Sequence, residues 1–264
     1  MIKFFRKIRQ NLLNENKFSK YLLYAAGEII LVVVGILLAL AINNQNELRK
    51  DKNAEQKLLK QLLIDYESNY SQLQNKIDQR TTIMTRCNEL LDVIDKETRI
   101  HPDSLPNIFA TFLLDPTFDP IDNDVIASGS IRLLKNDTLK EMISKWHSDA
   151  KAYQETEQVQ HDHMISSTVP FLKRVGLMRN ASFEFWSNIE FQIGLIEQGR
   201  NANSLKLKNN KGKIDVDYIL NDQELEGLLS YIFHISLANN LEAESLKTKM
   251  LKTIKILKIE IEQK

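Results

Sequence analysis

The feature that most constrains this chain is an apolar stretch near its N-terminus. The segment LLYAAGEIILVVVGILLALAI, from Leu22 to Ile42, contains one charged residue, Glu28. As a helix it would be about 31 Å long, which is the thickness of the hydrocarbon core of a bilayer. The sequence therefore predicts one transmembrane helix over residues 21–42.

The charges on both sides of this segment bear on its orientation. Arg49, Lys50, Lys52, Lys57 and Lys60 follow the segment, so the count of positive residues alone decides little. A long C-terminal domain, however, is exported largely regardless of its charge. We expect a cytoplasmic N-terminus, which keeps inside the positive residues that precede the span: Lys3, Arg6, Lys7, Arg9, Lys17 and Lys20.

A cleaved signal peptide is an alternative, because Ala39-Leu40-Ala41 fits the small-x-small cleavage pattern. The leader would then be longer than the usual length of roughly 15 to 30 residues. The apolar run is also long enough to stay in the bilayer.

The first 20 residues form a basic segment with an amphipathic pattern. Phe4, Phe5 and Ile8 share one helical face, and basic residues occupy the remainder. This pattern predicts a membrane-surface anchor on the anionic inner leaflet, built from those three residues and from Lys3, Arg6 and Lys7. The alternative is a disordered positive segment that only sets the orientation.

The N-terminal 47 residues resemble a known family. The pattern includes Lys17 to Tyr21, Gly27-Glu28, Gly35-Ile36 and Asn43-Asn44 with Asn46-Glu47. It is similar to the signature of an uncharacterised membrane-protein family of Bacteroidetes-type bacteria, domain of unknown function 6090. This chain has Gln45 where that family commonly has tryptophan. The resemblance implies an inner-membrane protein, assigns no activity, and argues against cleavage because the pattern continues past Ala41.

Glu28 has two interpretations. An ionised, unpaired carboxylate at this depth would cost on the order of 2 to 3 kcal/mol. The residue either lies close enough to the cytoplasmic interface to be hydrated or protonated, or it pairs with a polar group on another membrane helix. In the second case Gly27, Gly35 and Ala39 allow close approach, which predicts a membrane-helix interaction site at these four positions.

Beyond the span, residues 47–97 lack proline and glycine, and they predict a helical stalk over residues 43–100. Its heptad-like stripe, which Arg80 interrupts, comprises Tyr70, Leu73, Ile77, Met84, Cys87, Leu91 and Ile94. A second stripe recurs near the C-terminus at Leu225, Leu228, Ile232, Ile235, Leu246, Met250, Leu257 and Ile261. We expect the two stripes to pack antiparallel within one chain, with Cys87 buried; packing against a second copy is the alternative.

Residues 101–264 predict an extracytoplasmic helical domain. Helices are expected over 137–169, ending near Pro170, and over 183–196, and the turns contain Pro102, Pro106, Pro116 and Pro120. Alternating apolar residues suggest a small β-hairpin near 204–218. The predicted fold is all-α: a transmembrane helix that continues into a long amphipathic helix, followed by a helical bundle.

No catalytic, cofactor or metal site is predicted. Ser148 to Lys151 fits S-x-x-K without its companion motifs. Glu157 and His161 are expected as a helix-surface pair, because two ligands do not make a metal site. Lysine plus arginine and aspartate plus glutamate both total 35, which disfavours nucleic-acid binding.

These observations favour a non-enzymatic envelope protein that binds or scaffolds other proteins. Its expected partners are the lipid bilayer and either another membrane or envelope protein or a second copy of itself. The alternatives are a sensor or accessory subunit of a membrane complex and, less favoured, a periplasmic hydrolase.

Overall fold

The computed structural model describes residues 18–121, 125–188, 191, 207–208, 210 and 212–262. Within these residues the chain is helical and contains no strand, which confirms the all-α class. The helices are α1 (Phe18–Asp95), α2 (Ser104–Thr111), α3 (Asp137–His163), α4 (Val169–Arg174), α5 (Met178–Ser187), α6 (Val216–Leu220) and α7 (Leu225–Glu262). A 3₁₀ turn covers Ser130–Leu133, and a π turn covers Met164–Thr168.

The chain divides into two units between Lys57 and Leu58. In the first unit, the large apolar side chains from Leu22 to Ile42 are between 47% and 78% exposed. Among the described residues, one helix is long and apolar enough to cross a membrane. The predicted domain limits at residues 20, 42 and 100 stay predictions.

The second unit, here called the helical domain, has two hydrophobic clusters. Cluster A includes Leu59, Leu62, Leu73 and Ile77 of α1, Leu139, Ile143 and Trp146 of α3, and Leu246, Met250 and Leu257 of α7. Cluster B includes Ile83, Cys87 and Leu90 of α1, Leu105 and Phe109 of α2, and Leu225, Leu228 and Leu229 of α7. Both clusters therefore combine the two stripes within one chain.

Contacts between α1 and α7 give their relative direction. Lys258 Nζ lies 2.8 Å from a Glu67 carboxylate oxygen, and Asn240 Nδ2 donates to the Ile77 carbonyl at 3.1 Å. Rising numbers on α1 thus meet falling numbers on α7. This confirms the antiparallel packing predicted from the stripes.

The burial pattern of α1 differs in detail from the predicted stripe. Beyond Arg80 the fully buried positions are Ile83, Cys87 and Leu90, whereas Met84 and Leu91 are only half-buried. Arg80 itself is fully buried. The buried face therefore continues through Arg80 at three- and four-residue spacing, so the predicted interruption is wrong.

The predicted β-hairpin is wrong over its second half. Val216–Leu220 is helix α6, because Asp215 caps its first turn by accepting a hydrogen bond from the Tyr218 N–H at 3.1 Å. Val216 and Ile219, three residues apart, face cluster B, and helical spacing overrides the alternation in the sequence. Most of the predicted first strand lies outside the described residues, and Leu207 has no regular secondary structure.

The predicted helix end near Pro170 is also wrong. The α3 helix ends at His163, and the π turn leads directly into α4, which contains Pro170 in its first turn. The Val169 N–H bonds the Met164 carbonyl, five residues back. Proline lacks a backbone N–H, and it is tolerated in the first turn of a helix. The chain therefore stays helical through Pro170. Of the helix predicted over 183–196, α5 covers the part up to Ser187.

Candidate functional site

A layer of buried polar side chains separates cluster A from cluster B. We call it the polar layer; its buried members on α1, α3 and α7 are Arg80, Tyr153, Glu157, Ser236, Asn239 and Asn240, and Gln160 is a half-buried member. Arg80 is the largest fully buried side chain of the described residues. Because a buried charge is stable only when it is paired and hydrogen-bonded, the partners of Arg80 determine what this layer does.

Glu157 is the counter-ion of Arg80. Its carboxylate accepts from the Arg80 guanidinium and from the Phe118 N–H, the latter at 2.7 Å. The guanidinium also donates to the Tyr153 hydroxyl at 2.8 Å and to the Pro116 carbonyl. Burial raises the pKa of the Glu157 carboxyl, although the Arg80 charge opposes that rise.

The predicted surface pair of Glu157 and His161 is therefore wrong. Glu157 is 3% exposed and paired with Arg80, because a buried guanidinium requires a carboxylate. His161 Nδ1 instead lies 2.7 Å from a carboxylate oxygen of Asp115. No group of three or more potential metal ligands occurs among the described residues.

Gln160 links this ion pair to α7. Its side-chain oxygen accepts from Arg80 Nε at 3.3 Å and from Asn239 Nδ2 at 2.7 Å, and its nitrogen donates to Ser236 Oγ at 3.2 Å. The polar layer thus joins three helices at one level. Buried polar groups of this kind fix the register of packed helices, and we assign this role to the layer.

The segment Asp115–Ile121, here called the strap, is held by side chains through its backbone. Asn69 donates to the Ile121 carbonyl at 3.0 Å and accepts from the Ile121 N–H at 2.7 Å. Gln72 makes the same two bonds with Asp119, at 3.0 and 2.9 Å. Amide side chains of α1 therefore take the place that a neighbouring strand would have, and the non-helical strap is fixed beside α1.

A cavity of about 470 Å³ lies between α1 and α3, beside the end of the strap. Its buried wall consists of Leu62, Tyr66, Val125, Ile143 and Trp146. Exposed residues surround its mouth: Ser144, His147 and Ser148 on α3, with Ile121 and Ile126 opposite. The volume is in the range of pockets that bind small molecules, roughly 300 to 1,000 Å³.

Two aromatic rings and one carboxylate distinguish the cavity. The ring centroids of Tyr66 and Trp146 are 5.1 Å apart, and Phe118 meets Trp146 edge-on at 6.4 Å. Asp65 is 5% exposed, and Gln61 donates to both of its carboxylate oxygens at 3.0 and 3.2 Å. Apolar walls with one convergent charged group are typical of ligand sites.

The predicted membrane-helix interaction residues lie on α1 in the first unit. Gly27, Gly35 and Ala39 are exposed and Glu28 is half-buried, and a Cβ atom added at either glycine would meet no atom within 4 Å. Glu28, Gly35 and Ala39 share one helical face, from which Gly27 is rotated by about 100°. Their role stays a prediction.

The predicted surface-anchor residues, namely Lys3, Phe4, Phe5, Arg6, Lys7 and Ile8, lie outside the described residues.

Sequence reasoning missed the cavity and the strap. Ser148, singled out for its S-x-x-K pattern, lies at the cavity mouth, and Lys151 is not among the described residues that line it. A signal was present in the sequence: Asp65, Asn69, Gln72, Lys76 and Arg80 recur at helical spacing. Such a polar stripe is normally solvated, which is why it was not distinguished from an exposed face.

Comparisons with known proteins agree with the N-terminal pattern. Residues 28–110 match the model of a family of unknown function (DUF6090), which supports membership of the chain in that family. No curated protein and no solved structure matches the chain.

Proposed function

We propose, on the premise that this chain is a member of the DUF6090 family, that it is a membrane-anchored envelope protein without enzymatic activity. Its helical domain binds or scaffolds a second protein. The observation that carries the anchoring is the exposure of the apolar side chains from Leu22 to Ile42, which a bilayer would cover. We assign the protein to a bacterial inner membrane, with the N-terminus in the cytoplasm and the helical domain in the periplasm.

Exposed apolar side chains on α7 support the interaction role. Leu237 and Leu241 lie one helical turn apart and are 41% and 66% exposed. The same helix buries its opposite face in clusters A and B, so it already has its partners within the domain. An outward apolar pair on such a helix is suited to a second envelope protein or a second copy of the chain.

The experiment is native mass spectrometry of the full-length protein extracted in detergent. We expect a second chain at fixed stoichiometry, which the double variant Leu237→Asp/Leu241→Asp loses. Lys252→Asp is the matched control, because it adds a negative charge to another exposed position of α7 and should retain the second chain. A wild-type protein that is monomeric under all extraction conditions would contradict the interaction role.

The orientation is tested separately in spheroplasts. Protease added from outside should remove the helical domain and leave the N-terminal segment protected. Protection of the helical domain would show the opposite orientation.

The cavity between α1 and α3 favours a second candidate function, that of a ligand sensor or accessory subunit of a membrane complex. In that role Glu28 would contact a membrane partner. Glu28→Gln should then weaken co-purification of the partner while the urea unfolding curve of the helical domain stays unchanged. Equal recovery of the partner would contradict this candidate.

A further inference from the structure

We propose that the cavity between α1 and α3 binds a small organic cation with an apolar body, with Asp65 as its counter-ion. This inference rests on the ligand-sensing candidate and names the chemical class of its ligand. It is carried by the wall, the rings and the charge of the cavity.

The wall sets the size and polarity of the ligand. Leu62, Val125 and Ile143 are buried apolar side chains that line the cavity together with the two rings. A cavity of about 470 Å³ accommodates a molecule of roughly drug-fragment size. The body of the ligand is therefore apolar, since a strongly hydrated molecule would lose its water without replacement.

The rings favour positive charge on that ligand. The faces of Trp and Tyr rings carry negative electrostatic potential and attract ammonium groups that lie over them. Trp146 and Tyr66 both line the cavity, and their ring planes meet at 48°. Phe118 fixes Trp146 through an edge contact at 85°.

The Asp65 carboxylate determines the sign of the ligand's charge. Asp65 carries the only fixed charge among the described lining residues, and Gln61 orients it by donating to both oxygens. In surroundings of low polarity a carboxylate attracts a cation strongly and disfavours an anion such as a fatty acid. Charge and rings thus select the same class of ligand.

The test uses benzyltrimethylammonium as probe and phenylmethanesulfonate as its anionic counterpart of similar size. The chain has two tryptophans, and Trp186 lies on α5, away from the cavity lining. In a full-length Trp186→Phe protein, fluorescence therefore reports Trp146 alone. We expect the cation to change this emission saturably, and the sulfonate to have no saturable effect.

Two aspartates provide a matched comparison. Asp78 accepts a hydrogen bond from Gln74, four residues earlier, as Asp65 does from Gln61, yet Asp78 is exposed and is not among the cavity residues. Asp65→Asn should weaken binding of the cation about tenfold, the effect of losing one ionic contact. Asp78→Asn should leave it within about twofold.

Ser144→Phe gives a second variant that spares the buried residues. Ser144 is exposed at the mouth of the cavity, so an aromatic ring there should weaken binding of the cation without unfolding the domain. The proposal is overturned if the cation gives no saturable change, if the sulfonate binds equally well, or if both aspartate variants behave alike. Native mass spectrometry measures partner binding independently of ligand binding. Absence of a second chain would therefore contradict the interaction role, whereas absence of saturable fluorescence would contradict the ligand site.

Discussion

Removal of the Arg80 side chain tests whether the polar layer is an integral part of the core. In Arg80→Met the Glu157 carboxylate stays buried without its counter-ion, which typically costs about 3 to 5 kcal/mol. The Tyr153 hydroxyl and the Pro116 carbonyl also lose their donor. We therefore expect the free energy of unfolding to fall by about 4 to 5 kcal/mol.

The double variant Arg80→Met/Glu157→Leu separates the ion pair from the rest of the layer. Replacing both charges by apolar side chains removes the unpaired charge and fills a similar volume. The Phe118 N–H still lacks an acceptor, so stability is not fully restored. We expect the double variant to lose at least about 2 kcal/mol less than the sum of the single variants.

The effect of Arg80→Met should depend on pH. Burial raises the pKa of Glu157 above its value in the unfolded chain, and the variant removes the charge that opposes this rise. A carboxyl with a raised pKa contributes stability that is complete below its unfolded pKa and is lost as the pH rises through its folded pKa. The destabilisation should therefore be smaller at pH 5 than at pH 7.

The assay is urea unfolding of the full-length protein in detergent micelles, followed by tryptophan fluorescence. Arg86→Met is the control, because Arg86 pairs with Glu89 at 2.7 Å on the exposed side of the same helix. That variant should change stability by less than about 1 kcal/mol. The reasoning is refuted if Arg80→Met costs no more than the control, or if its cost is equal at both pH values.

Two further predictions concern the buried thiol of Cys87 and the half-buried imidazole of His163. Burial raises the pKa of Cys87 to about 12, so iodoacetamide at pH 8 should leave the thiol unmodified in the folded protein and alkylate it in urea, as read from the intact mass. Burial lowers the pKa of His163, whose ring lies 4.3 Å from that of Tyr231 and whose Nε2 has no partner among the described residues. Stability linked to His163 is complete above its unfolded pKa and is lost as the pH falls through its folded pKa. His163→Phe should therefore reduce the drop in Tm between pH 7 and pH 5, whereas the same substitution at exposed His234 should not.

The sequence predicted the parts of the fold that depend on local periodicity. The apolar stripes of α1 and α7 and the burial of Cys87 follow from spacing that one segment contains by itself. Their antiparallel contact followed because the region between them is long enough to return the chain. The alternation of apolar residues wrongly predicted a strand at Val216. There the Asp215 cap and packing against cluster B stabilise a helix instead.

The polar layer and the cavity could not be predicted, because their residues become meaningful only through distant partners. Arg80 meets Glu157 across 77 positions, and Asn69 meets Ile121 across 52. A basic residue in an apolar stripe predicts an interruption unless its counter-ion is known. The cavity likewise combines Asp65 of α1 with Trp146 of α3, and no spacing within either helix relates them.

The way in which the strap is held affects how freely it can change. Asn69 and Gln72 hold the strap through its backbone N–H and carbonyl groups, which every residue type except proline supplies in full. Most side chains of the strap can therefore be substituted without loss of its attachment; Phe118, buried in cluster A, is an exception. Substitutions in the strap can thus vary one rim of the cavity, to which Ile121 belongs, while the two attachment points stay the same, at little cost in stability.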